Sequence, residues 1–235
     1  MQDEILKHTK KIYMSAKDSK HTLVEKFTEI LTELFIIIFA VTLSIWFHSW
    51  SEHRHEQKEV KSFLKGLKQD LTKDMANLQS YKKEADTSRL QLSFLFNITK
   101  NQYDSLQINH IDLQIEENFY STAFNNGRYE GFKTSGKLNT IENEDLRNNI
   151  LAYYQQRTHM IATAESLTNG QQLKFIDYLV DNEVKDRYLE FFTKKKTRML
   201  IITIINTTKK TASEYEAAIN EVKGIIADID KESVE

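Results

Sequence analysis

The stretch ILTELFIIIFAVTLSIWFHSW, residues 30–50, decides how the rest of the chain is read. Its centre, Phe35 to Phe47, holds no charge and only Thr42 and Ser44 as polar interruptions. The full 21 residues, at about 1.5 Å each in a helix, reach across the roughly 30 Å hydrocarbon core of a bilayer. The apolar centre alone is too short, so the ends carry the argument. Trp46 and Trp50 stand where aromatic belts form, and the charged run SEHRHEQK follows at once. The stretch reads as one transmembrane helix with Glu33, Trp46 and Trp50 as its anchoring residues. It does not read as a cleavable signal, because it begins 30 residues in and no small-x-small cleavage pattern follows it.

Composition bounds what the remainder can be. About 185 of the 235 residues follow the span, enough for one ordinary domain with its own core. Charge is nearly balanced, 32 basic against 34 acidic residues, which argues against nucleic acid as a partner. Cysteine is absent, so disulfides, cysteine nucleophiles and thiolate metal sites are excluded together. Proline is also absent and glycine occurs six times, which favours long uninterrupted helices.

The expected architecture is all-α: a polar tail over 1–29, the span over 30–50, and an extramembrane helical domain over 51–235 that opens with a stalk helix at 51–84. The stalk continues straight from the span, tying membrane to domain. Val60, Leu64, Leu67, Leu71, Met75 and Leu78 recur at spacings of three and four, the pattern of an amphipathic or coiled-coil seam. Gly66 interrupts it at a cost of about 1 kcal/mol relative to alanine. A second helix is expected over about 86–106, carrying Leu90, Phe94, Leu95, Ile98 and Leu106. Ile111, Leu113 and Ile115 alternate with polar residues, as in a short strand or an extended linker. Asn125-Asn126-Gly127 marks a turn, and Gly131 and Gly136 make 125–137 the most broken part of the chain.

Asn143 is expected to cap a helix whose first turn holds Glu144 and Asp145, and Asn169-Gly170 to end it. A further helix is expected over about 171–193. The run MLIITII, 199–205, cannot cross a membrane and reads as a buried core helix. Tyr215, Ile219, Val222, Ile226 and Ile229 share one seam of the final helix. There is no internal repeat and no low-complexity linker, so these helices form one bundle.

Two segments resemble an uncharacterised family of bacterial single-span membrane proteins. In TELFIIIFAVTLSIWFHSWSEHR, 32–54, Glu33, Trp50, Glu52 and Arg54 match the family's Glu-Ile-aliphatic span ending in Trp-x-Glu-x-Arg. In YEGFKTSGKLNTIENEDLRNNILAYY, 129–154, Ser135, Gly136, Leu138, Ile141, Asn143, Leu146, Arg147, Tyr153 and Tyr154 fit its second stretch. The span lacks the glycines usual in that family's helix. The resemblance implies a topology, one span followed by a helical domain, and no activity.

Few residues suggest chemistry. Glu33 either pairs with a cation on a neighbouring subunit or partner span, or lies at headgroup level beside Glu29 and Lys26. His48, Glu52 and His55 fall on one helix face just past the span, and imidazole and carboxylate are zinc-ligand types. No His-Glu-x-x-His motif accompanies them, pH sensing or a plain polar collar accounts for them as well, and no metal is expected. Lys194, Lys195, Lys196 and Arg198 form the densest basic cluster, a lipid contact if the domain folds back to the bilayer and otherwise a solvated helix end. Lys133-Thr134-Ser135-Gly136-Lys137 lacks phosphate-loop spacing; a glycine closing a helix at a left-handed position explains it better.

The sequence therefore leads to a membrane-anchored assembly protein, self-associating or an accessory subunit of a membrane complex, with the seam at 60–78 as its pairing surface. No catalytic residues and no cofactor are expected. The alternative is a ligand- or stress-sensing protein that signals through a partner; no ligand class is specified. Lysines flank the span on both sides and long domains cross largely regardless of charge. The orientation adopted is a single pass in a bacterial inner membrane, N-terminus cytoplasmic and domain periplasmic.

Overall fold

A computed structural model describes residues 2–17, 23–109, 118–182 and 188–232. The chain is all-α, with no strand among the described residues. The helices are α1 (Gln2–Lys17), α2 (Leu23–Asn97), α3 (Lys100–Ile108), α4 (Gly127–Thr134), α5 (Glu144–Ala152), α6 (Thr158–Asp181), α7 (Tyr188–Thr193) and α8 (Lys195–Glu232). A 3₁₀ turn at Lys137–Thr140 precedes α5, and a π-helical turn at Tyr153–Arg157 joins α5 to α6. Two compact units result, Met1–Glu59 and Val60–Glu235.

In the first unit one helix is long and apolar enough to cross a membrane, and only 6% of its apolar window is buried by the chain. Phe35, Ile36, Ile38, Phe39, Val41, Ile45, Trp46 and Phe47 are all exposed. Thr42 sits among them without an open donor, because its hydroxyl donates to the Ile38 carbonyl at 2.8 Å. That back-bond is what makes a threonine compatible with hydrocarbon.

The second unit is built on three long helical segments. Pairs from α6 and the π turn that leads into it run along α8 in the opposite sense, Thr168 with Thr211 and Arg157 with Glu221, so α6 and α8 are antiparallel. Lys68 with Asp230 and Lys82 with Glu216 give the same relation between α2 and α8. One core joins Val60, Phe63, Leu64, Leu67, Leu71 and Leu78 of α2 to Leu146, Ile150 and Tyr153, to Ile161, and to Tyr215, Ile219 and Val222 of α8. A second cluster gathers Leu92, Leu95 and Ile98 with Phe175, Phe191, Phe192, Ile201 and Ile204. MLIITII thus lies inside α8, with Ile201 and Ile204 buried and Met199 exposed.

Several boundaries differ from expectation. The stalk does not stop near residue 84; α2 runs on to Asn97. The expected helix over 86–106 is broken at Ile98, because Thr99 opens α3 with a full capping box. Its side chain accepts from the Gln102 amide, and the Gln102 side chain accepts from the Thr99 amide. Asn125-Asn126-Gly127 leads directly into α4, which buries Tyr129 and stacks Phe132 on Phe63 at 3.9 Å. Packing supplies what two glycines withhold. Gly136, at φ 75°, follows α4 in the left-handed conformation expected of it, and the Asn143 side chain accepts from the Leu146 amide at 3.0 Å. Ile111, Leu113 and Ile115 lie outside the described residues.

Asn169-Gly170 ends nothing. Helix α6 passes through it to Asp181, and the second stretch expected over 171–193 divides into the end of α6 and the short α7. The Asn169 amide is engaged sideways instead: Oδ1 accepts from the Tyr120 amide at 2.9 Å and Nδ2 donates to the Tyr120 carbonyl at 2.7 Å. A residue that usually unwinds a helix here holds another segment against one.

Gly66 also has a use. A Cβ there would stand 2.2 Å from Cζ of Arg128, whose Nε donates to Asp70 at 2.9 Å. The gap in the α2 surface lets Arg128 lie across the helix to its carboxylate.

Candidate functional site

The span's polar residue comes first. Glu33 is 8% exposed, and its carboxylate lies 3.4 Å from Nζ of Lys11 on α1. Among the described residues, the cation that Glu33 meets is on the chain's own N-terminal helix. Trp46 and Trp50 are exposed at the far end, and the Arg54 guanidinium lies 4.8 Å from the Trp50 ring. That cation–π contact sets a charged group against the last tryptophan of the apolar stretch. His55 turns to Glu59 at 3.6 Å, and no group of three metal-ligating residues converges among the described ones. His48, Glu52 and His55 are not brought together as a ligand set.

The six seam positions behave differently from an open pairing surface. Val60, Leu64, Leu67, Leu71 and Leu78 are buried in the core of their own chain, and Met75 is packed against it. The seam is real, but α5, α6 and α8 cover it. Heptad-like spacing cannot distinguish an intrachain partner from an interchain one, because both want the same apolar stripe.

Lys194, Lys195, Lys196 and Arg198 are exposed. Three of them roof the second cluster: Lys194 over Phe191 at 5.7 Å, Lys196 over Tyr178 at 4.4 Å and Arg198 over Phe96 at 4.4 Å. Their stems cover apolar rings while the charges stay wet.

The most organised chemistry of the second unit escaped sequence reading. It lies where residues 118–126 cross the bundle without helical structure. Glu165 of α6, 5% exposed, accepts from the Thr122 amide at 3.1 Å, from the Thr122 hydroxyl, and from the Tyr215 hydroxyl at 2.7 Å. Asp74 of α2, 1% exposed, accepts from the Asn125 amide at 3.1 Å and from the Asn125 side chain. Burial pushes the Asp74 carboxyl up, against the lowering by its Asn125 hydrogen bonds. Burial, then the bond to Glu165, pushes the Tyr215 phenol up, so it stays protonated as a donor. Two buried carboxylates thereby hold an extended segment whose backbone would otherwise lack partners.

A third buried acid ties the π turn to α8. Arg157 donates from Nε to Glu221 at 3.0 Å and from Nη1 to Glu214 at 2.6 Å, and Lys210 also reaches Glu214. The π turn places Tyr153 and Tyr154 both inward, with Tyr154 stacked on Tyr129 at 4.3 Å. Lys210 and Arg157 hold the Glu214 carboxyl below its usual range. A depressed carboxyl contributes stability above its unfolded value of about 4.3 and loses it as pH falls through the lower folded value. Arg157→Ala should thus destabilise the unit by about 2 kcal/mol at neutral pH, since Lys210 keeps part of the pairing. The difference from the parent should shrink as pH drops below about 4. Urea unfolding across pH checks this; a difference constant with pH would refute the ionic origin.

No protein-family model, no curated protein and no solved structure matches this chain.

Proposed function

We propose that this is a membrane-anchored helical assembly protein without catalysis of its own, working through protein–protein contact. It pairs with copies of itself or serves as an accessory subunit of a membrane complex. One observation carries the reading. The buried acids Glu165, Asp74 and Glu214, the groups from which a site would most readily be built, accept hydrogen bonds or ion pairs that hold the fold together. What remains open is apolar: the exposed face of the span, Phe35 to Trp50. With the 60–78 stripe inside the domain, association falls to the span and to the outer helix surfaces. The resemblance to the bacterial single-span family supports one span followed by a helical domain; the orientation proposed with it is a single pass in an inner membrane, the N-terminus cytoplasmic and the helical domain periplasmic.

The test is the mass of the full-length protein extracted from native membranes in mild detergent. A multiple of 27.6 kDa, or a stoichiometric second protein, is the expected result. A bare monomer would overturn the assembly reading and leave ligand sensing in its place. Orientation is read separately. The chain has no cysteine, so single cysteines at Ser15 and at Ser80, which is exposed on α2, with an impermeant label report the two sides of the membrane without background.

A further inference from the structure

Helix α1 is amphipathic, and its contact with Glu33 fixes which way round it sits. Ile5, Leu6, Ile12 and Tyr13 recur at i, i+1, i+7 and i+8, while Glu4, Lys7 and Lys11 share the opposite side of the register. Lys11 meets Glu33. On the other side of the register, Leu6 and Tyr13 are 66% and 72% exposed. On this 16-residue helix, Leu6 and Tyr13 of the stripe are left uncovered by the described residues of the unit.

What covers it follows from charge and tethering. Five residues separate α1 from α2, so the helix is held beside the point where the span begins. Beyond Lys11, continuing along the span would carry Lys10, His8, Lys7, Glu4 and Asp3 into hydrocarbon, where each charge is disfavoured. Lying across the bilayer surface avoids this and buries the stripe. Helix α1 carries four lysines against two acids, complementary to anionic headgroups.

We propose that α1 is an interfacial helix, its Ile5/Leu6/Ile12/Tyr13 side seated in the bilayer surface and Lys7 and Lys10 at the headgroups, with the Lys11–Glu33 pair fastening it to the span. The occupant of the stripe is lipid, not protein. This rests on the proposal that the span crosses the membrane, and the experiment separates the two. Full-length protein with a single cysteine at Leu6, Tyr13, Lys7 or Phe39 is spin-labelled in vesicles of phosphatidylcholine and phosphatidylglycerol. Accessibility to oxygen, which concentrates in the bilayer, is compared with accessibility to a water-soluble nickel chelate.

The expected result is that labels at Leu6 and Tyr13 favour oxygen, less strongly than Phe39, while the Lys7 label favours nickel. Nickel accessibility at Leu6 and Tyr13 with Phe39 in the bilayer would refute the interfacial helix and leave the span standing. Shielding of both from oxygen and nickel alike would mean a protein covers the stripe, which also refutes it. Nickel accessibility at Phe39 would defeat the span itself. In Glu33→Gln the Tyr13 label should gain mobility; an unchanged spectrum would remove the fastening role.

Discussion

Replacing Leu71 by alanine should lower the unfolding free energy of the helical unit by about 3 kcal/mol, equally at low and high protein concentration. Leu71 is fully buried, in the middle of the α2 stripe, among residues of its own chain. Truncation removes transfer free energy and leaves a cavity, and buried Leu→Ala changes run from about 2 to 5 kcal/mol. Concentration independence is the discriminating part. If the 60–78 stripe joined two chains, the loss would appear as weakened association and the midpoint would depend on protein concentration. Leu90→Ala, the same chemistry at an exposed position on the same helix, should change stability by less than about 0.5 kcal/mol. Denaturant unfolding of the full-length protein in mild detergent measures both variants. A small Leu71 effect, or one that scales with concentration, would return the stripe to the role of an interchain seam.

The stripe also shows what periodicity can and cannot tell. Spacings of three and four located the buried face of α2, with Met75 only partly buried and Phe63 and Asp74 missed, because an amphipathic helix must turn one side to something apolar. They could not name that something. The same limit applies to Glu33. A carboxylate in a span favours a cation beside it, and the sequence offered several lysines; the one it meets, Lys11, lies on a separate helix, α1, which spacing does not reveal. Local signals were read with mixed success for a physical reason. Asn143 and Gly136 do what backbone chemistry alone asks of them, capping and closing helices. Thr99-x-x-Gln102 is an equally local capping box that the apolar spacing around it obscured. Asn169-Gly170 was misleading because its amide has a long-range partner, Tyr120, which local propensity does not register. Glu165 and Asp74 were invisible for the same cause. Among 34 acids, nothing in sequence marks two whose partners lie 43 and 51 residues away.

Glu165→Ala should destabilise the second unit by about 3 kcal/mol, comparable to a core truncation although no apolar contact is lost. The carboxylate is the shared acceptor for the Thr122 amide, the Thr122 hydroxyl and the Tyr215 hydroxyl. Removing it leaves buried donors with nothing to accept them, each at about 1–3 kcal/mol. Tyr215→Phe removes one donor while Thr122 still holds the carboxylate, and should cost about 1 kcal/mol. The double variant should then be less destabilised than the sum of the singles, by at least about 1 kcal/mol, because the orphaned phenol of the Glu165→Ala protein is gone. Strict additivity would mean that the two side chains act separately and that the contact is incidental. Amide exchange gives the location: the Thr122 and Tyr120 amides should lose protection in Glu165→Ala before the core amides of α8 do. Loss spread evenly over the unit would show instead that Glu165 supports the bundle as a whole. The expected pattern makes the 118–126 segment a strap across α6 and α2, held by side chains because it has no helical hydrogen bonds of its own.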